Sequence, residues 1–220
     1  MGASSGPSDS APQDFVRRYL QDDWVFSTGS RLSQWNDSSG GGYHAVQSTA
    51  LLQPLVLANG AASSEYGTEE VLILPQSAVA TMTLVIRVVL PMPSQLAQEY
   101  LCPVGYQPYL HIQNLGGATY RWQTDHQWGW RASVSGALTA SASVDAVVAI
   151  RYRWYGTGIV KGDCYINGVN TGVQYDINDP AGPVSNNLTK LCAGSIALGR
   201  GYAPGLRAVW IYHRDLTDAE

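Results

Sequence analysis

The stretch Ala149-Ile150-Arg151-Tyr152-Arg153-Trp154, followed by Cys164-Tyr165-Ile166-Asn167-Gly168, decides the fold. In an extended chain successive side chains point to opposite faces, so Arg151 and Arg153 share one face while Ile150, Tyr152 and Trp154 share the other. The strand therefore has one apolar side and one wet or ligand-facing side. Asn167-Gly168 is a strong hairpin signal, because both central residues of a type I′ turn need positive φ. The turn sends the chain back through Val169 to Val173.

Working outward, Thr83-Leu84-Val85-Ile86-Arg87-Val88-Val89 is almost continuously aliphatic, as a central strand buried on both faces is. Further strands are predicted at Val71–Leu74, Met82–Val89, Tyr109–Gln113, Thr119–Gln123, Gln127–Val134, Ala146–Trp154, Gly162–Ile166, Ser195–Leu198 and Leu206–Tyr212. Gly, Pro, Asn and Ser separate them. Helix signals are scarce: the FVRRYL segment within Asp14 to Asp23 is read as one or two helical turns. So many short strands without intervening helices fit an all-β, two-sheet antiparallel sandwich better than a parallel sheet. Met1–Gln13, rich in Ser, Gly, Pro and Ala, reads as a short flexible N-terminal leader, and residues 14–220 as one domain.

Composition narrows the function. Of 220 residues 45% are hydrophobic and only 14% charged, which leaves a polar surface of low charge. Net charge is −4, and the basic residues include only two lysines, Lys161 and Lys190. No basic field is available for a phosphate backbone, so a nucleic-acid partner is not expected. The longest apolar run, Val79 to Leu90, is broken by Arg87 and falls short of the roughly 20 residues that span a bilayer, so no membrane partner is expected either. The first residues lack the basic and apolar regions of a secretory signal, which fits synthesis in a host cytoplasm. Cys102, Cys164 and Cys192 form no CxxC pair. Reduced thiols are expected, with a Cys102–Cys192 disulfide as an alternative.

Three motifs resemble one known family. Trp35-Asn36-Asp37-Ser38-Ser39-Gly40-Gly41-Gly42-Tyr43-His44-Ala45, with Gln53-Pro54 beyond it, resembles the opening of laminin G-like domains in the concanavalin A-like lectin/glucanase superfamily. Ile196-Ala197-Leu198-Gly199-Arg200 and the run from Leu206 to Glu220 resemble that family's closing strand and cap. Cys164-Tyr165-Ile166-Asn167-Gly168 is similar to its hairpin. The resemblance implies a jelly-roll (concanavalin A-like) sandwich, with Trp35 and Ala45 as core or turn anchors and Trp210 and Tyr212 as inward residues of the last strand. Versions without a secretory signal look like tailed-phage virion proteins.

Catalytic chemistry finds little support. A glycoside hydrolase needs two carboxyl groups flanking the scissile bond. The five glutamates, Glu65, Glu69, Glu70, Glu99 and Glu220, form no E-x-D-x-x-E strand. No G-x-S-x-G elbow and no phosphate-binding glycine loop occurs. The protein is therefore expected not to be an enzyme and to need no cofactor.

The aromatic segment from Tyr120 to Arg131 supplies the candidate ligand or interface platform: Trp122, Asp125, His126, Trp128 and Trp130. Flat rings cover the apolar face of a pyranose while polar groups bind its hydroxyls. The same rings serve equally to fill a core or a subunit interface. Asp176, Asn178 and Asp179 are weak calcium candidates if their segment is a loop, since the oxygen ligands available are too few. The function expected is a virion structural or binding protein of a tailed bacteriophage, in capsid decoration or tail. Other virion subunits are its expected partners, cell-surface glycan is a further one, and it is expected to be oligomeric in the particle. The alternative is a lectin or glycosidase.

Overall fold

The computed structural model describes residues 17–27, 29–58, 60–63, 70–75, 81–90, 101–105, 109–125, 131–133, 135–139, 144–155, 159–178, 190–191 and 205–220. These form two antiparallel sheets, with no α-helix among the described residues. Sheet A runs β16 (Val169–Asn178), β15 (Ile159–Ile166), β14 (Val144–Tyr155), β8 (Thr81–Leu90), β18 (Gly205–Tyr212), β6 (Ala62–Ser63) and β5 (Leu55–Val56), with β1 (Arg17–Tyr19) also on β18. Sheet B runs β12 (Arg131–Ser133), β11 (Thr119–Asp125), β10 (Tyr109–Gly116), β9 (Leu101–Gly105), β17 (Lys190–Leu191), β7 (Leu72–Ile73), β4 (Ala45–Val46), β3 (Leu32–Trp35) and β2 (Trp24–Phe26). In sheet B β13 (Leu138–Thr139) also pairs with β11. Strands distant in sequence lie side by side, as crossovers in a jelly roll require.

One core fills the space between the sheets. Alternation sends Met82, Leu84, Ile86 and Val88 of β8 inward, together with Val148, Ile150 and Tyr152 of β14. Leu110 and Ile112 of β10, with Tyr120 and Trp122 of β11, meet them from sheet B. Thr124 donates its hydroxyl to the Tyr152 phenol oxygen across the gap at 3.1 Å. The β14–β15–β16 hairpin follows the sequence reading. Asn167 has φ 51° and Gly168 φ 78°, and Asn167 is the only non-glycine with positive φ among the described residues.

The Trp35–Ala45 motif is structural. Trp35 and Ala45 are fully buried, and the indole Nε1 donates to the Leu20 carbonyl oxygen at 2.6 Å. Asp37 gathers the loop around its carboxylate, accepting from the backbone N–H of Arg18 (3.0 Å), Ser39 (3.0 Å) and Tyr43 (3.1 Å) and from the Ser39 hydroxyl (2.7 Å). Burial alone raises its pKa, but these hydrogen bonds outweigh burial and hold the carboxyl below its ordinary value.

Four expectations need correction or restriction. The segment read as helical turns instead makes β1 and a single 3₁₀ turn at Gln21–Asp23. β1 ladders onto β18 and buries Tyr19 there, whereas an isolated short helix is marginal in water. Of the two residues read as inward, Tyr212 is buried at 1% exposure, but Trp210 is only half-buried: a β-bulge between Leu206 and Ala208 shifts the alternation, so that Leu206, Val209 and Ile211 face the core. Arg87 shows that β8 is central but not apolar on both faces, since its guanidinium pairs with Asp145 at 2.9 Å on the outer side. The strand predicted at Gln127–Val134 is described only over Arg131–Ser133. Met1–Gln13, Ser195–Leu198 and Cys192 lie outside the described residues, as does the Cys102 side chain.

Candidate functional site

Of the residues singled out from sequence as a platform, Trp122 alone has its side chain among the described residues. Trp122 is fully buried, because Tyr120, Trp122 and Thr124 occupy the inner positions of β11. It fills the sandwich core and offers no ring to a ligand. Asp125 ends β11, paired with Tyr109 and Arg131 through the backbone, and its side chain lies outside the description. His126, Trp128 and Trp130 lie outside the described residues. Asp176 and Asn178 stand in β16 opposite Lys161 and Ile159, so they belong to a strand and not to the loop that the calcium reading assumed. Asp179 is outside the described residues. Among the described residues no group of three or more His, Cys, Asp or Glu is placed to hold a metal ion.

The outer face of sheet A presents a different site. Pairing registers align Arg18, Trp210, Val85, Ala149, Tyr165 and Asn170, one from each of six neighbouring strands. Directly opposed residues share a face, so this row crosses the sheet on the side away from the core. Beside it lies a cavity of about 340 Å³. Val85, Val147 and Ala149 form its floor. Tyr165, Gly168, Thr83, Arg151 and residues 216–220 complete its lining.

The wall at residues 214–220 is tied to the sheet by a polar network. Thr83 donates its hydroxyl to the Arg214 carbonyl oxygen at 2.9 Å and accepts from the Leu216 N–H at 3.1 Å. The largely buried Arg151 guanidinium donates twice to Asp163 and also to the Leu216 carbonyl oxygen (2.9 Å), Asp218 Oδ1 (2.7 Å) and the Tyr165 hydroxyl. It sits 4.9 Å from the centre of the Tyr165 ring. Tyr165 in turn donates its hydroxyl to Asp218 Oδ1 at 2.6 Å. Arg153 pairs with Asp215, and Arg214 with Glu220 at 2.6 Å.

These contacts set the charge states. Burial disfavours the Arg151 cation, but Asp163 and Asp218 outweigh it and keep the group charged. The hydrogen bonds from Tyr165 and Arg151 hold Asp218 below the ordinary carboxylate range. Arg214, helped by the Thr217 N–H, pushes Glu220 down to about 2. Cys164 behind the site is buried, and burial raises its thiol well above the usual value, so it stays protonated. The arrangement can hold a ligand against an apolar floor and accept hydrogen bonds at a charged rim. The two carboxyl groups that line it, Asp218 and Glu220, are both held on the ionised side.

Sequence reasoning reached the edge of this site when alternation gave β14 a wet face. Extending it two and four residues back from Arg151 reaches Ala149 and Val147. The cap of residues 214–220 was signalled only through the family resemblance.

No protein-family model and no curated protein matches the chain. Solved structures do. A Trypanosoma rangeli sialidase in complex with sialic acid superposes with a TM-score of 0.62 at 10% identity, over 100% of this chain and 34% of that chain. Botulinum neurotoxin type C, whose passage into cells depends on interaction with two ganglioside molecules, gives 0.53 at 13% identity, over 91% of this chain and 50% of that one. The binding domain of Paraclostridial Mosquitocidal Protein 1 gives 0.52 at 18% identity, over 91% and 51%. The chain thus spans about a third of the sialidase's length and about half that of the two toxin structures. At such identities the likeness shows the fold alone, a lectin-like β-sandwich.

Proposed function

We propose that the chain is a non-catalytic glycan-binding module, and that it is carried on the virion of a tailed phage. The observation that carries the binding half is the cavity on the outer face of sheet A, whose apolar floor adjoins a rim of committed, ionised carboxylates. A glycoside hydrolase needs one carboxyl group that stays protonated near neutral pH to protonate the leaving oxygen. Asp218 and Glu220, which line the cavity, are both held on the ionised side, and this supports binding over cleavage. The similar sialidase is seen in complex with sialic acid and the similar neurotoxin interacts with gangliosides, and both neighbours support the glycan-binding reading. The virion half rests on the laminin G-like resemblance of the Trp35–Ala45, Cys164–Gly168 and Leu206–Glu220 motifs.

A glycan array combined with a reducing-sugar assay tests the first half. Binding without release of reducing ends is expected, and release of sugar from any bound glycan overturns the non-catalytic reading. Mass spectrometry of purified particles tests the second half. The chain is expected at a fixed copy number, and its absence from particles overturns the virion assignment.

A further inference from the structure

We infer that the cavity on the outer face of sheet A selects an uncharged sugar ring and disfavours sialylated or sulfated ones, an inference that rests on the glycan-binding reading above. Its floor is aliphatic, made by Val85, Val147 and Ala149. Such a surface takes the apolar C–H face of a pyranose, and a volume of about 340 Å³ lies at the small end of ligand pockets, which run from about 300 to 1,000 Å³.

The rim decides the charge of the ligand. Asp218 is anchored through one oxygen only: Oδ1 accepts from both Arg151 and Tyr165. Oδ2 has no hydrogen-bond partner among the described residues, on a side chain 76% exposed. Fixing one oxygen by two donors orients the carboxylate, so that the other is presented as a ready acceptor for a sugar hydroxyl. Glu220 is fully engaged by contrast, with Oε2 accepting from Arg214, the Thr217 N–H and the Thr217 hydroxyl, and Oε1 accepting from Arg214.

No guanidinium lining the cavity is left to receive an acid. Arg151 is shared among Asp163, Asp218, Tyr165 and the Leu216 carbonyl. Around the wall, among the described side chains, Arg151, Arg153 and Arg214 face Asp163, Asp215, Asp218 and Glu220, three cations against four anions. A ligand carboxylate or sulfate meets net negative charge there, and charge repulsion is an effective rejecting device. A purely apolar ligand is disfavoured as well, because it desolvates Asp218 without supplying a donor. Arg87 and Arg207 share Asp145 farther along the same face, but neither lines the cavity.

The test is an array of matched pairs, each a neutral oligosaccharide and the same oligosaccharide bearing a sialyl or sulfate group. The wild-type chain is compared with Asp218→Asn and Ala149→Phe. Both substitutions fall on the solvent side of the sheet, and thermal melts verify that both variants stay folded. Neutral members are expected to bind, with their charged counterparts weaker by about tenfold or more, and each substitution is expected to weaken neutral binding by about tenfold. Equal or tighter binding of the charged members overturns the selectivity while leaving the glycan-binding reading intact, and it points to Arg87 and Arg207. Neutral binding unchanged in both variants overturns the assignment to this cavity. Failure to bind any member overturns the glycan-binding reading itself, and the selectivity with it.

Discussion

Asp37 accepts four hydrogen bonds from three residues, and its removal takes an acceptor away from three backbone N–H groups. Asp37→Ala is expected to cost about 2–3 kcal/mol in urea unfolding, the scale for buried donors left without acceptors. Because its folded pKa is depressed, its contribution is present above the ordinary carboxylate range and is lost as pH falls through the folded value. The two tryptophans that sequence reading weighed behave in opposite ways. Trp122 has its ring wholly in the core, so Trp122→Ala should cost about 3–5 kcal/mol. Trp210 stands on the outer face half-buried, and its replacement by Ala should cost clearly less in the same assay. An equal cost at the two positions contradicts the register described for β18. Nothing in the local sequence distinguished them, since each is a tryptophan in a strand of alternating character.

At the scale of elements, the long strands were legible and, apart from β7 within the strand predicted at Val71–Leu74, the two-residue ones were not. β8, β10, β11, β14, β15 and β18 contain enough residues for periodicity and β-branched content to be read, and each lies within a few residues of its predicted place. β4, β5, β6 and β17 are two residues long, too short to carry a period, and they exist because a neighbouring strand supplies the ladder. The bulge in β18 was equally hidden, because one extra residue leaves composition unchanged while turning every later side chain over. The Asn167-Gly168 turn was legible because its conformation is demanded by chemistry. Gly168→Ala meets open space but must hold φ near 78°, and it should cost about 1–2 kcal/mol. In the wall that adjoins the turn, Asp163→Ala leaves the Arg151 charge poorly compensated in a buried place and should cost about 3–5 kcal/mol. Asp218→Asn, at an exposed position, should leave the unfolding midpoint nearly unchanged.

For the whole molecule, the two-sheet sandwich followed from alternation, turn chemistry and the absence of helix signals, and the described strands bear it out. The site did not follow in the same way. Its floor comes from β8 and β14, its aromatic side from β15 and its wall from residues 216–220, which only tertiary pairing brings together. Small residues such as Ala149 and Val147 carry no chemical signature in a sequence, whereas clustered tryptophans do, and that contrast drew attention to Trp122, a residue the fold uses for packing. What unites the account is the claim that the outer face of sheet A is the ligand face. The most direct measurement is a methyl NMR titration of the isotope-labelled chain with the neutral oligosaccharide that binds best on the array. The account predicts saturable shifts of the Val85, Val147 and Ala149 methyls, with Val25, Val46 and Ile73 on sheet B unmoved. Shifts confined to sheet B, or none at the three floor residues while the sugar binds, contradict it.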